Sequence, residues 1–260
     1  MFTTLDIELN GPVATIWMNR PDLHNAFDET LITELTAACM ALDDDNDVRV
    51  VVLAGRGKSF SAGADLNWMK RAANNGLDDN LNDARALAHM LRTLAEMKKP
   101  TIARVQGAAL GGGTGLTAAC DMAIAADDAQ FSTSEVRFGI IPAVISPFVL
   151  RAVGPRHALR IFQSAERIDA ARALAMGLVG EVVPAAELDA AVARLTEQLV
   201  SCAPDAQKAA KDLIAAVDGR PIDDAVSEET ARRIARRRAT AEAKDGIAAF
   251  LDKRPPAWLA

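Results

Sequence analysis

Residues 107–121 read GAALGGGTGLTAACD, five glycines in fifteen positions, with Gly111 to Gly113 consecutive. Such a run gives up backbone rigidity and side-chain packing, so it marks a place where something must approach bare backbone. A second glycine-bearing turn, SFSAGADLNWMK, lies at 59–70, and a glutamate, Glu135, follows in STSEVRFG. Three chemistries use a glycine run of this kind. A phosphate-binding loop ends in Gly-Lys-Ser/Thr, and the absence of lysine after Gly113 or Gly115 rejects it. A dinucleotide fold is closer, because Gly113-x-Gly115-x-x-Ala118 fits GxGxxG/A and Glu135 lies twenty residues beyond Gly115. The context disfavours it: about seven residues separate the strand end near Val105 from Gly113, where a tight turn is required. The third chemistry is stabilisation of a developing oxyanion. A glycine run that opens a helix aims free N–H groups at a ligand oxygen, with the helix dipole behind them. One donor is rarely enough, and the 59–70 turn supplies a second.

These turns need elements to hold them. TLDIELN (3–9) and PVATIWM (12–18) read as strands joined by Asn10-Gly11, a hairpin signal. A helix is expected from Asp28, a candidate N-cap, to about Leu42. VRVVVLAG (48–55) is a continuous β-branched run suited to a strand buried on both faces. A helix from about Asp78 to Met97 ends before Pro100, TIARVQG (101–107) is the next strand, and DMAIAA (121–126) another. From 147 onward the pattern is mostly helical, broken at Gly154-Pro155, Gly177 to Val183, Pro204 and Pro221. The order defines an α/β protein with a helical C-terminal region. If the two glycine-bearing turns follow neighbouring parallel strands, they open at one sheet edge, where α/β ligand sites lie.

The 260 residues are 50% apolar and 25% charged, with a mean hydropathy of +0.07, enough for a sizeable core. No apolar run reaches the ~18–20 residues of a membrane span, and the N-terminus lacks signal-peptide character. The net charge of −6 and an aromatic content of only 4%, with no Tyr, argue against nucleic acid. The arginines of ARRIARRRAT read as the polar face of a helix. Cys39, Cys120 and Cys202 are few and far apart, which fits reduced thiols in a cytoplasm. No His/Cys/Asp cluster has metal-ligand spacing, so no metal is expected.

The blocks RPDLHNAFDE, SFSAGADL, KKPTIARVQGAALGGG, CDMAIAADDAQFSTSEVRFGIIP, RIDAARALAMGLVGEVVP and FLDKRPPAW, in this order and spacing, resemble the enoyl-CoA hydratase/isomerase (crotonase) superfamily over nearly the whole chain. The resemblance implies a ClpP-like spiral of ββα units, with a core at 1–200 holding the CoA and acyl site and a helical oligomerisation region at 201–260. It implies that the N–H groups of Ala64 and Gly112 hold a thioester oxygen. Glu135 would be the general acid/base. His24, Asn25, Ala26, Ala62, Asp65 and Leu66 would line the CoA path, with Arg20, Arg56 and Lys58 near the phosphates. Coenzyme A is then part of an acyl-CoA substrate, no separate cofactor is expected, and the chain forms a trimer or hexamer. Asp121 is read as structural. Hydratases of the two-carboxylate type carry a first glutamate at the position of Gly115, so this chain departs from them. Two chemistries fit one carboxylate: hydration, or a shift of a 3-enoyl double bond to the 2-position. A non-catalytic CoA- or RNA-binding protein is the further alternative. SAGADLNWMKR and SEVRFGIIPAVISPFVLRAVG resemble bacterial methylglutaconyl-CoA and isohexenylglutaconyl-CoA hydratases, which act on branched, carboxylated enoyl-CoAs. For a distal carboxylate, Lys70, Arg71 and Arg137 are candidate partners, with His89 behind them.

Overall fold

The computed structural model describes residues 2–259. The N-terminal hairpin pairs β1 (Leu5–Asn10) with β2 (Val13–Met18), with Asn10 opposite Val13 and Gly11 at φ +55° between them. Asp28 then caps α1 (Glu29–Asp44), its side chain accepting from the Leu31 N–H. The β-branched run becomes β3 (Val50–Gly55), buried at all six positions, as a strand covered on both faces requires. β4 (Thr101–Val105), β6 (Met122–Ala126) and β9 (Glu181–Val183) extend the sheet in the order β1-β2-β3-β4-β6-β9, parallel from β2 onward. A second sheet, β5-β7-β8, is built from Ala108–Leu110, Gln130–Ser132 and Ile168–Asp169.

The chain therefore winds as repeated pairs of strands followed by a helix. β4 and β5 lead into α4 (Gly112–Ala119), and β6 and β7 lead towards α5 (Ser146–Ser164). On one face of the large sheet α1 and α3 (Leu77–Ala95) share a core in which Met90, Leu91 and Leu94 of α3 join Ile16 and Leu53 of the sheet, all 1% exposed or less. Each such side chain contributes about 1.5–3 kcal/mol when buried. On the other face, α7 (Leu188–Ser201) covers Val50, Val52, Ile102 and Ile124.

The structure departs from the sequence reading in three places. The second sheet is absent from that reading, because strands of two or three residues offer too few positions for alternation to show. α2 (Leu66–Ala72), capped by the Asp65 side chain, takes up the end of the 59–70 turn and begins well before the helix expected at Asp78. The expected break at Gly154-Pro155 is present: Gly154, at φ +71° and ψ 166°, leaves the helical conformation and divides α5 into two segments that meet at a kink. The break at 177–183 contains β9, an edge strand of the large sheet. α6 (Ala170–Met176) precedes β9 and α7, and beyond α7 come α8 (Pro204–Val217), α9 (Asp224–Arg238) and α10 (Ala241–Asp252). On α9, Arg232 and Arg233 pair with Glu228 and Glu229 one turn back.

Candidate active site

The first turn follows β3. Asn25, fully buried, knits it together: its Oδ1 accepts from the Arg20 N–H, and its Nδ2 donates to the carbonyls of Arg56 and Ser59, each at 2.9 Å. Phe27 then bridges to Ala64 in parallel fashion, donating to the Gly63 carbonyl at 2.7 Å and accepting from the Asp65 N–H at 2.8 Å. In a parallel bridge the residue opposite points its own N–H the other way. The Ala64 N–H accordingly has no acceptor among the described residues.

The second turn follows β4 and β5. β3 and β4 are parallel neighbours, so the two turns leave the sheet side by side. Ser61 stitches them together, donating to the Ala108 carbonyl at 3.0 Å and accepting from Leu110 at 2.9 Å through its backbone. Gly111, at φ +51°, forms the N-cap of α4, which leaves the Gly112 N–H in the unsatisfied first turn of that helix. The turns touch: a Cβ on Gly63 would stand 2.9 Å from the Leu110 carbonyl oxygen and 3.7 Å from the Gly112 nitrogen. Gly112 has no room for a side chain, because a Cβ there would lie 2.1 Å from the Phe27 ring. Two free backbone donors thus sit on adjoining strand-to-helix turns.

Glu135 arrives from the second sheet. The Ser132 carbonyl, at the end of β7, accepts from the Gly111 N–H at 2.7 Å and the Thr114 hydroxyl at 3.1 Å. Three residues on, Glu135 opens a 3-10 turn (Glu135–Phe138). Its Oε1 lies 3.4 Å from where a Cβ on Gly111 would be, and its Oε2 is buried with no protein donor. Burial pushes its carboxyl above the ordinary glutamate range. An unsatisfied, desolvated carboxylate beside two free N–H groups is arranged to move a proton near a charge-accumulating oxygen.

The other residues expected from the sequence fall around this centre in different ways. His24 is exposed, with Nδ1 3.0 Å from the Ser59 hydroxyl, and the Ala62 N–H donates to its carbonyl. Ala26 is buried and its carbonyl accepts from Arg20 at 2.6 Å, while Leu66 is 73% exposed. The Asp65 carboxylate is spent internally. Burial pushes it up, but the N–H groups of Asn67 and Trp68 and the Arg20 guanidinium outweigh this and hold it below its usual range. Arg20 also pairs with Asp28, and Arg56 pairs with Glu8 and lies 4.1 Å over the Trp17 ring. Lys58 and Lys70 are exposed and form no ion pair among the described residues. Arg71 pairs with Glu29, Arg137 donates to the Ala165 carbonyl at 2.8 Å, and His89 is exposed on α3. Asp121 accepts from the Thr101 N–H and hydroxyl and pairs with Lys211, tying the start of β6 to β4 and α8. Among the described residues no group of His, Cys, Asp and Glu could hold a metal, and no helix is long and apolar enough to cross a membrane.

Sequence reasoning missed Phe27, whose ring fills the space at Gly112, and gave Asn25 to the CoA path without foreseeing that its buried amide holds the first turn together. It also missed the place of Ile145, whose methyl group lies 2.3 Å from where a Cβ on Gly115 would be.

With this geometry in hand, the comparisons are concordant. The chain matches the enoyl-CoA hydratase/isomerase family over residues 8–260. A crystal structure of an enoyl-CoA hydratase from Shewanella pealeana superposes with a TM-score of 0.96 at 41% identity, covering 99% of this chain and 96% of that one. The crotonyl-CoA hydratase of Syntrophomonas wolfei is 35% identical over 97% of this chain and 96% of its own. The short-chain-enoyl-CoA hydratase of Clostridium acetobutylicum is 34% identical over 95% and 94%. The chain belongs to the enoyl-CoA hydratase/isomerase family and has the crotonase α/β fold.

Proposed function

We propose that the protein is an enoyl-CoA hydratase, a hydro-lyase whose preferred substrate is a branched, carboxylated enoyl-CoA of the methylglutaconyl type. The observation that carries the chemistry is Glu135: buried, with one oxygen unpartnered, next to the turns that present the Ala64 and Gly112 N–H groups. The thioester oxygen accepts from both. As water adds to the β-carbon, charge moves onto that oxygen as an enolate, and preorganised donors stabilise it more than the starting carbonyl. One such donor is worth about 3–4 kcal/mol. Glu135 takes a proton from the attacking water and returns one to the α-carbon, so the elements of water are added and the enzyme is regenerated. A carboxyl lifted toward neutrality suits both halves of that exchange.

The hydratase reading is favoured over the isomerase alternative by the relatives' names, which specify hydration. The carboxylated substrate class rests on the sequence resemblance and on the lone carboxylate. A distal carboxylate on the acyl chain supplies a second acceptor for the water. Arg137, with one guanidinium N–H on Ala165 and no other side-chain partner among the described residues, and Lys70, without an ion pair among them, are its cation candidates. The CoA path runs past His24, Asn25, Ala26, Ala62, Asp65 and Leu66, with the unpaired Lys58 toward the phosphates. Apolar side chains left exposed on the C-terminal helices and their connections, including Ile222 at 96% and Phe250 at 82%, support residues 201–260 as an oligomerisation region of a trimer or hexamer.

The test compares wild type on 3-methylglutaconyl-CoA, crotonyl-CoA and a 3-enoyl-CoA by enoyl absorbance. Faster loss of signal with the carboxylated substrate is expected. Equal rates on the first two would remove the substrate class, and a rising signal from the 3-enoyl-CoA alone would move the protein to the isomerases. An Arg137→Ala variant should lose more activity on the carboxylated substrate than on crotonyl-CoA.

A further inference from the structure

The apolar side of the site has an owner. Gly115 lies one turn beyond Gly111 on α4, and its N–H donates to the Gly111 carbonyl at 3.1 Å. The two glycines therefore share a helix face, and Glu135 stands against the first of them. The space in front of the second is filled. A Cβ on Gly115 would fall 2.3 Å from Cγ2 of Ile145 and 2.8 Å from its Cβ. The nearer contact is a branch at the Cβ, not the end of a flexible chain, so rotation cannot relieve the second one. Ile145 is itself fixed. It is 3% exposed, β-branched, and stands at the N-cap of α5, where its carbonyl accepts from Phe148 and Val149. Pro147 and the Ser146 hydroxyl, which donates to the Ala143 carbonyl at 2.7 Å, hold the turn that carries it.

We propose that Ile145 is a specificity-determining residue of this site: it occupies the volume of any side chain at position 115, and so keeps the wall beside Glu135 apolar and the site limited to one carboxylate. Gly115 and Ile145 then form an interlocked pair. A carboxylate at 115 would share the site with Glu135, disfavour ionisation of both, and repel an acyl chain that carries its own charge. The pair excludes it. The substrate consequence rests on the hydratase reading above; the interlock does not.

Two cycles that share wild type and Ile145→Gly test this: one with Gly115→Glu and its double variant, the other with Gly115→Ala, a milder probe of the same space, and its double variant. Gly115→Ala alone should lower the melting temperature by about 2–8 °C, and Ile145→Gly by about 5–15 °C. The alanine should cost little or nothing once Ile145 is glycine. Purely additive melting shifts would overturn the interlock, as would a Gly115→Glu single variant that melts like wild type. In the double variant with glutamate, the pH profile of kcat/KM should gain a second ionisation. The preference between substrates should move by about tenfold or more toward crotonyl-CoA, which a merely structural role for Ile145 would not produce. An unchanged pH profile and preference in a folded double variant would overturn the specificity role. A wild type inert on every enoyl-CoA would instead sink the hydratase reading, and the melting cycle would still judge the interlock.

Discussion

Glu34, on α1 beneath the N-terminal strand, and Glu135, beside the glycine turns, are both drawn partly out of water, and their protons behave in opposite ways. Burial pushes the Glu34 carboxyl up, but four donors reverse this and hold it at about 2: the N–H and hydroxyl groups of Thr3 on Oε1, at 2.8 and 2.9 Å, and those of Thr4 on Oε2, at 2.7 and 2.6 Å. Glu135 has burial opposed only by its own backbone N–H, its Oε2 has no donor, and its carboxyl is raised. The difference lies in the neighbours, not the residue type. A carboxylate surrounded by donors holds a charge and staples the chain. One left short of them is poised to exchange a proton, and the fold bears the cost.

That contrast can be broken at either end. The largest effect is expected at the reactive end, where Glu135→Gln should lower kcat by about 10²–10⁴-fold with the fold retained, since the proton carrier is lost. Next is Gly112→Ala. Its Cβ meets the Phe27 ring at 2.1 Å, so kcat should fall by about 10²-fold or more as the donor is displaced, with about 1–3 kcal/mol of stability lost by overpacking. At the other end, Glu34→Gln should leave kcat unchanged and destabilise the protein by about 1–2 kcal/mol at pH 7, allowing for solvent screening. The sign follows from a depressed carboxyl. Its contribution is present above the ordinary glutamate range and fades as pH falls through about 2, so variant and wild type should converge in acid. The smallest effect sharpens the comparison most. A raised carboxyl penalises the folded state once it ionises, so Glu135→Gln should raise the melting temperature slightly at pH 7–8, with the gain vanishing below the ordinary glutamate range. Opposite stability changes from the same Glu→Gln substitution would be the signature.

How far these features were legible in the sequence depends on length and on partners. The buried run Val50–Gly55 and the helices capped at Asp28 and ended before Pro100 carry enough positions for their period to declare them. The three-residue strands β5 and β7 do not, yet β7 is what delivers Glu135 to Gly111. The two glycine turns were readable as bare-backbone sites from composition. Their adjacency depended on β3 and β4 being neighbours, which the resemblance supplied and the pairing shows. Gly115 stood out as a missing glutamate. Its occupant could not be read, because Ile145 lies thirty residues away and its type is that of any core residue. Nor could the four donors around Glu34, which depend on where the N-terminal strand lands.

The most direct test of the central claim is loss of enoyl absorbance from a 2-enoyl-CoA, followed side by side for wild type and Glu135→Gln at matched folded concentration. The account predicts rapid loss with wild type and a rate about 10²–10⁴-fold lower with the variant. A variant that hydrates at the wild-type rate would show that the buried, unpartnered carboxylate is not the proton carrier of this site.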